Sequence, residues 1–350
     1  MRLLTLYLAR SVIAASLVAL VAIVALDFVF SLVDGVADSD GGVAQVLLEA
    51  LLAVPGLAYE AFPFATLIGA LTGLGALSAR QELTVMRAAG VSVLQIAGAV
   101  LAGGLVLALL AVAVGEYAVP PAERQAAAVR GVSEGEQLRT GPDGALWARD
   151  GGDFLRAERP RSRTHLEDVT LYRFSEGRLA LRVDAEHAHY RDGGWRLAEA
   201  TLTRYAGARL TRQRREAWRW AASLSPEVLG VVVADPATLP APELLTYIRY
   251  LEANDLDSAR YRLALWQKVA TPLATLAMLL VTIPLVFTAV RSAGGGQRVV
   301  IGVLAGIGFF LLNRALSQAG VAYGLPPWLS ALLPVLAFAA IGVAGLRRVR

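Results

Sequence analysis

The chain has 350 residues, 56% of them hydrophobic, with a formal net charge of +4 and no cysteine. Its mean hydropathy of +0.53 is too apolar for a soluble protein whose surface must face water, and the lack of thiols excludes disulfides, thiol catalysis and cysteine-ligated metal. The pI of 9.6 reflects arginines scattered over several segments, with no basic tract dense enough for a nucleic-acid footprint, so no nucleic-acid partner is expected.

Apolar runs lie near 11–33, 51–78, 96–119, 263–288, 299–320 and 327–346. Each reaches the roughly 20 residues a helix needs to cross a hydrocarbon core of about 30 Å. The first is longer than the apolar core of a signal peptide and lacks a clear small-residue cleavage site, so it reads as a retained helix. Six crossings put both termini on one side. Arg2 and Arg10, Arg80 and Arg87, Arg291 and Arg298, and Arg347, Arg348 and Arg350 all fall on that side, while the alternate connections carry Asp34, Asp38 and Asp40 or no charge from Val321 to Pro327. Positive-inside bias therefore predicts cytoplasmic termini and an exported 120–262 segment.

Within that segment the period changes. Leu146, Trp147, Phe154 and Leu155 flank Asp150-Gly151-Gly152, and Val169, Leu171 and Tyr172 lead through Ser175-Glu176-Gly177 to Leu179, Leu181 and Val183. Further strands are predicted at 185–191, 195–203 and 215–221, giving an all-β sandwich or roll. His187 and His189 share a strand face at a spacing a metal site could use. With His165 the only other histidine and no acidic cluster fixed nearby, a polar strand face is the preferred reading and no metal site is expected. A short amphipathic helix at 241–252, after Pro240 and Pro242, returns the chain to the membrane.

No catalytic constellation emerges: there is no HExxH, G-x-S-x-G or Walker A motif, and the only lysine, Lys268, follows Trp266-Gln267 rather than a phosphate-cradling loop. Gly294-Gly295-Gly296 reads as a flexible turn. Three ionisable residues fall inside the spans, Asp27, Glu60 and Arg314, each costing at least about 2.5–3.5 kcal/mol to insert. The topology places all three toward the exported side, either as a charged wall at a substrate cavity or as ion pairs tying helices together. Between the second and third spans, QELTVMRAAG at 81–90 offers Glu82, Met86 and Arg87 to the cytoplasm and stops at Gly90. This is either an ordinary charged loop or an element that docks into a groove on a soluble partner.

These residues resemble the lipopolysaccharide-export permeases of the LptF/LptG family, nearer its LptG branch. The resemblance is carried by Val54-Pro55, FPFATLIGALTGLG at 62–75, QELTVMRAAG, GEYAVPP at 115–121, LWARDGGDF at 146–154, LSPEVLGVV at 224–232, YRLALWQKVATPL at 261–273 and YGLPPWLSALLP at 323–334.

The resemblance implies a polytopic α-helical membrane protein of six transmembrane helices in a 3+3 arrangement, 1–119 and 263–350, with an inserted periplasmic jellyroll-like β-domain at 120–262. It further implies pairing with an LptF-type subunit around a lipopolysaccharide cavity, two copies of the ATPase LptB on the cytoplasmic face, and LptC. ATP and Mg are then used by the partner ATPase, and this chain binds no cofactor. A coupling helix at about 80–92 would contact the ATPase through Arg80, Glu82, Met86 and Arg87, the first and fifth helices would form lateral gates, and Asp27, Glu60, Lys268 and Arg314 are candidate cavity or gate residues. Family members place basic side chains near the exported ends of the first two helices. Here those stretches read Ser31-Leu32-Val33-Asp34 and Val54-Pro55-Gly56-Leu57, leaving Arg314, Lys268, Arg124 or the partner subunit to supply positive charge, or a cognate lipid A that carries fewer phosphates. A secondary transporter with helices broken at Pro55, Pro63, Pro272 or Pro284, or a membrane-anchored scaffold, are the alternatives.

Overall fold

The computed structural model describes residues 2–38, 43–129, 145–175, 177–206, 209–222, 224–226, 228–229, 235–287 and 295–348. Asp40, Arg291, Gly294 and Arg350, and parts of the predicted 120–262 and 224–232 stretches, lie outside them. The chain divides into two units, residues 1–126 with 262–350, and residues 127–261.

The first unit is helical. Its elements are α1 (Arg2–Asp38), α2 (Val43–Ala79), the short α3 (Glu82–Ala88), α4 (Val93–Ala113), a π-helical turn (Val114–Ala118) running into α5 (Val119–Val129), α7 (Ala259–Phe287), α8 (Gly295–Tyr323) and α9 (Pro327–Arg348). Among the described residues, six helical stretches are long and apolar enough to cross a membrane. They outrun the apolar windows in the sequence because helix ends continue through polar residues once the core turns are formed. The prolines predicted to permit breaks do not break these helices: α2 runs unbroken through Pro55 and Pro63, and α7 through Pro272 and Pro284.

Helices in hydrocarbon gain little from burying apolar surface against one another, so they associate where small side chains let backbones approach. The GALTG stretch of α2 does this. A Cβ on Gly69 would lie 2.3 Å from the Ser16 Cα, and one on Gly73 would lie 3.0 Å from the Ala15 Cβ, so α1 rests directly on the α2 backbone. A second glycine pair, Gly302 and Gly306 of α8, faces Ile68, Leu71 and Phe64 of α2. There Phe64 meets Phe309 and Phe310 edge to face, with both ring centroids at 6.2 Å. Thus α2 is flanked by α1 on one side and α8 on the other.

The second unit is a single six-stranded antiparallel sheet in sequential order: β1 (Leu146–Asp150), β2 (Asp153–Ser162), β3 (His165–Ser175), β4 (Arg178–Arg191), β5 (Gly194–Ala206) and β6 (Arg209–Trp220). The crossing connections of a full jellyroll are not found among the described residues. The sheet instead rolls by coiling. The indole N–H of Trp220, at the end of β6, donates at 2.8 Å to Asp153 at the start of β2, and the same carboxylate takes two bonds of 2.7 Å from Arg173. Helix α6 (Ala241–Ala253), predicted from Pro240 and Pro242, packs back on this unit. Its Tyr250 hydroxyl donates to the Arg149 carbonyl, and burial first, then the Asp150 charge, pushes its pKa up to about 12, so it remains a donor across the physiological range.

The predicted strands ending at Val183 and beginning at Ala185 are one strand, β4. The alternation changes phase at Glu186, with Val183, Ala185 and then Ala188 inward, which read as a break. The same step occurs in register across the sheet. Glu158, Asp168, Glu186, Glu199 and Glu216 lie opposite one another between paired positions, and Asp168 and Glu199 adopt positive φ. Each strand slips one residue together with its neighbours, so the inward face stays aliphatic on both sides of the row, and such irregularities bend strands. β6 begins six residues before its predicted start because Arg209–Arg214 is polar and exposed on both faces, which erases the alternation.

Gly69→Leu forces α1 away from α2, an overpacking that costs about 1–3 kcal/mol or more. In detergent its Tm should fall by at least about 3 °C, while Gly98→Ala, where a Cβ meets nothing within 4 Å, keeps the wild-type value. Equal melting of the two variants refutes this account of the helix contact.

Candidate functional site

The third span carries a local defect with a clear cause. In the π-helical turn the Val119 N–H reaches back to the Val114 carbonyl, so the Gly115 carbonyl would look to residue 120, a proline with no N–H. Lys268 of α7 supplies the missing donor at 3.1 Å and pairs with the Glu116 carboxylate at 2.7 Å. Both side chains are largely enclosed, Lys268 at 10% and Glu116 at 21% exposure. Position 115 must be glycine, since a Cβ there would sit 2.5 Å from the Tyr59 ring of α2. Each residue of GEYAVPP that departs from a plain span thus has a partner or a reason. Lys268, a candidate cavity cation, already has its charge engaged by Glu116. The sequence reading passed over Glu116, although an acid beside Pro120-Pro121 and a lone lysine in another span were both visible.

The 81–90 segment forms α3, with Gly90 at φ 90° ending it and a reciprocal Ser92–Gln95 cap starting α4. Its four predicted contact residues do not all face outward. Met86 packs on the helical core beside buried Leu83, and half-buried Glu82 accepts 2.7 Å from the Tyr7 hydroxyl of α1. Arg87 is exposed and lies 5.7 Å over the Phe287 ring at the end of α7, and Arg80 is exposed in the turn before α3. The outward face is completed by Thr84, Ala88 and Val85, the last 65% exposed. Val85 was missed because a lone valine in a short polar loop carries no sequence signal. An exposed apolar residue ringed by arginines suits a groove on another protein.

Asp27, Glu60 and Arg314 are exposed on the surface of this unit. Arg314 lies over Phe310 of its own helix at 5.9 Å. Arg124 is exposed on α5. The three span charges sit on helices whose own surfaces are strongly apolar. Val18, Val21, Leu26, Val29 and Phe30 of α1 are exposed, as are Leu304, Ile307 and Leu311 of α8. These two spans are the least buried of the six, at 22% and 17%, and both flank α2.

A helical unit of six crossing-length spans that holds a short helix at one connection and joins a rolled β-sheet is a membrane permease with an extramembrane domain. The model of the family described as lipopolysaccharide export system permease LptF/LptG matches residues 6–348. Two relatives resemble the chain over nearly their full length. The lipopolysaccharide export system permease protein LptG of Escherichia coli (strain K12) is 32% identical over 345 residues, covering 95% of this chain and 94% of that protein. LptG of Haemophilus influenzae is 29% identical over 339 residues, with the same coverage. The chain belongs to the LptF/LptG family of lipopolysaccharide export permeases. Members are transport subunits rather than catalysts, and with its six apolar helices this one is a multi-pass protein of the inner membrane.

Removing one partner of the enclosed Lys268–Glu116 pair leaves an uncompensated charge and costs roughly 3–5 kcal/mol. Lys268→Met should therefore lower Tm markedly, and adding Glu116→Leu should restore most of the loss. A double variant no more stable than Lys268→Met would show that the pair does not hold the third and fourth spans together.

Proposed function

We propose that this chain is the LptG-type half of a lipopolysaccharide exporter, paired with an LptF-type subunit and driven by two copies of the ATPase LptB, with LptC receiving the cargo. The termini and α3 lie in the cytoplasm, and the β unit lies in the periplasm. ATP and Mg are bound by the ATPase, and this chain contributes no nucleotide site of its own.

The observation that carries this reading is the pairing of a full-length family match with two under-buried spans beside α2. Helices α1 and α8 expose branched and aromatic side chains along faces that another six-helix subunit and an acyl-chain cargo would cover. Moving a glycolipid from the bilayer through water would cost about 0.8 kcal/mol for each exposed CH₂. A pathway that replaces lipid with apolar protein surface removes that cost, and a nucleotide-driven partner need only shift the relative affinity of successive apolar sites. Asp27 and Glu60 make the chain's own wall acidic at the exported end, so positive charge for lipid phosphates comes from Arg314 or from the partner subunit. Unbroken α2 and α7 weigh against a secondary transporter built on discontinuous helices.

Co-expression tests the assembly. An LptF-type subunit and LptB should co-purify with the wild-type chain. Val85→Asp buries a charge in the ATPase contact, which costs several kcal/mol, and should abolish LptB recovery while retaining the LptF-type subunit. Undiminished LptB recovery removes α3 from the ATPase interface. A wild-type chain purified without either partner refutes the proposed assembly.

A further inference from the structure

The register of β3 and β4 makes a constellation that strand spacing alone does not reveal. His165 pairs with His189, and Glu167 pairs with His187, so four side chains form a two-by-two block on the face opposite buried Leu166 and Ala188. All three histidines of the chain meet here. The sequence alone fixes no acidic cluster near His187; in the sheet Glu167 stands directly across from it. One donor atom from each of His165, Glu167 and His187 lies within 4.8 Å of the others. The His165 Nε2 and His187 Nδ1 are shut off from solvent and have no hydrogen-bond partner among the described residues.

Two orphaned imidazole nitrogens on one spot are costly, since each buried polar atom left unpaired costs about 1–3 kcal/mol. An ion that accepts a lone pair from each nitrogen would satisfy both. Arg161 donates at 2.9 Å to Oε2 of Glu167.

We propose that His165, His187 and Glu167 bind one zinc(II) ion on the outer face of the β-sheet. Two imidazoles and a carboxylate are a borderline-soft N,N,O set suited to this ion. Zinc bonds of about 2.0–2.1 Å in a tetrahedron separate donors by roughly 3.3 Å, a contraction that side-chain rotations supply. Arg161 orients the carboxylate from behind. His189, stacked on His165 at a centroid distance of 4.2 Å, fixes that ring without coordinating, and the fourth position is left to solvent or an exogenous ligand. The ion cross-links β3 to β4 at the open end of the hairpin they form, beside the β2–β3 turn.

The full chain, purified in detergent without a histidine tag and stripped with EDTA, is titrated with zinc chloride by calorimetry and with cobalt chloride by visible absorption. Wild type should bind one zinc per chain, show cobalt bands and gain Tm with zinc. His165→Ala, His187→Ala and Glu167→Gln should each weaken zinc by more than about tenfold, while His189→Ala stays within about threefold of wild type. Melting each metal-free variant separates ligand loss from misfolding, and Glu167→Gln preserves shape should an alanine variant fail to fold. No saturable zinc binding by wild type, or equal affinity in the His165→Ala/His187→Ala double variant, overturns the site.

Discussion

A backbone carbonyl inside hydrocarbon must find a donor from protein, because no water is there to supply one. The third span breaks its own ladder at Gly115, where the π-helical turn hands the carbonyl to a proline, and the chain repairs the break with its single lysine. That repair fixes more than a hydrogen bond. It joins α4 to α7, hence the first three spans to the last three, through a charged contact that apolar packing cannot replace without also removing Glu116. Tyr59 closes the cluster from α2, since only glycine leaves room for its ring. A change at any of the three sequence-distant segments propagates to the others.

Around that joint the packing is asymmetric. Helix α7 is 61% buried and α4 50%, while α8 is 17% and α1 22%. The buried pair forms the spine and the exposed pair flanks α2, which is held by close glycine contacts on both sides and by Phe64 against two phenylalanines of α8. Such contacts trade little apolar area for close approach, so α1 and α8 keep most of their side chains available. For a subunit whose substrate is itself apolar, an unfilled helix face is a functional surface, and the family match gives that surface a partner and a cargo under the reading proposed above.

The spans and the change to strand periodicity were legible because long apolar runs and alternating runs are local patterns. Gly90, Pro240 and Pro242 marked helix boundaries for equally local reasons. What remained hidden depends on register between distant segments. The phase step at Glu186 looks like a strand break until Asp168 and Glu199 are seen to make the same step beside it. His187 looks like a polar face until Glu167 stands opposite. Glu116 looks like a helix-end acid until Lys268, 152 positions later, reaches it.

The short helix α3 shows how position and attachment can be read together. Leu83 is buried, Met86 leans on the core, Glu82 takes the Tyr7 hydroxyl of α1, and Arg87 covers Phe287 at the end of α7. The outward face is left with Val85, Thr84 and the arginine edges. A helix fixed on its inner side to both an exposed span and a buried one cannot be displaced alone. Under the reading proposed above, force applied to Val85 by the ATPase would reach α1 through Glu82 and α7 through Arg87, and along α7 to Lys268 and the widened turn of the third span. The segment residues that look most suited to touching a partner, the acid and the methionine, instead hold α3 to the helical unit.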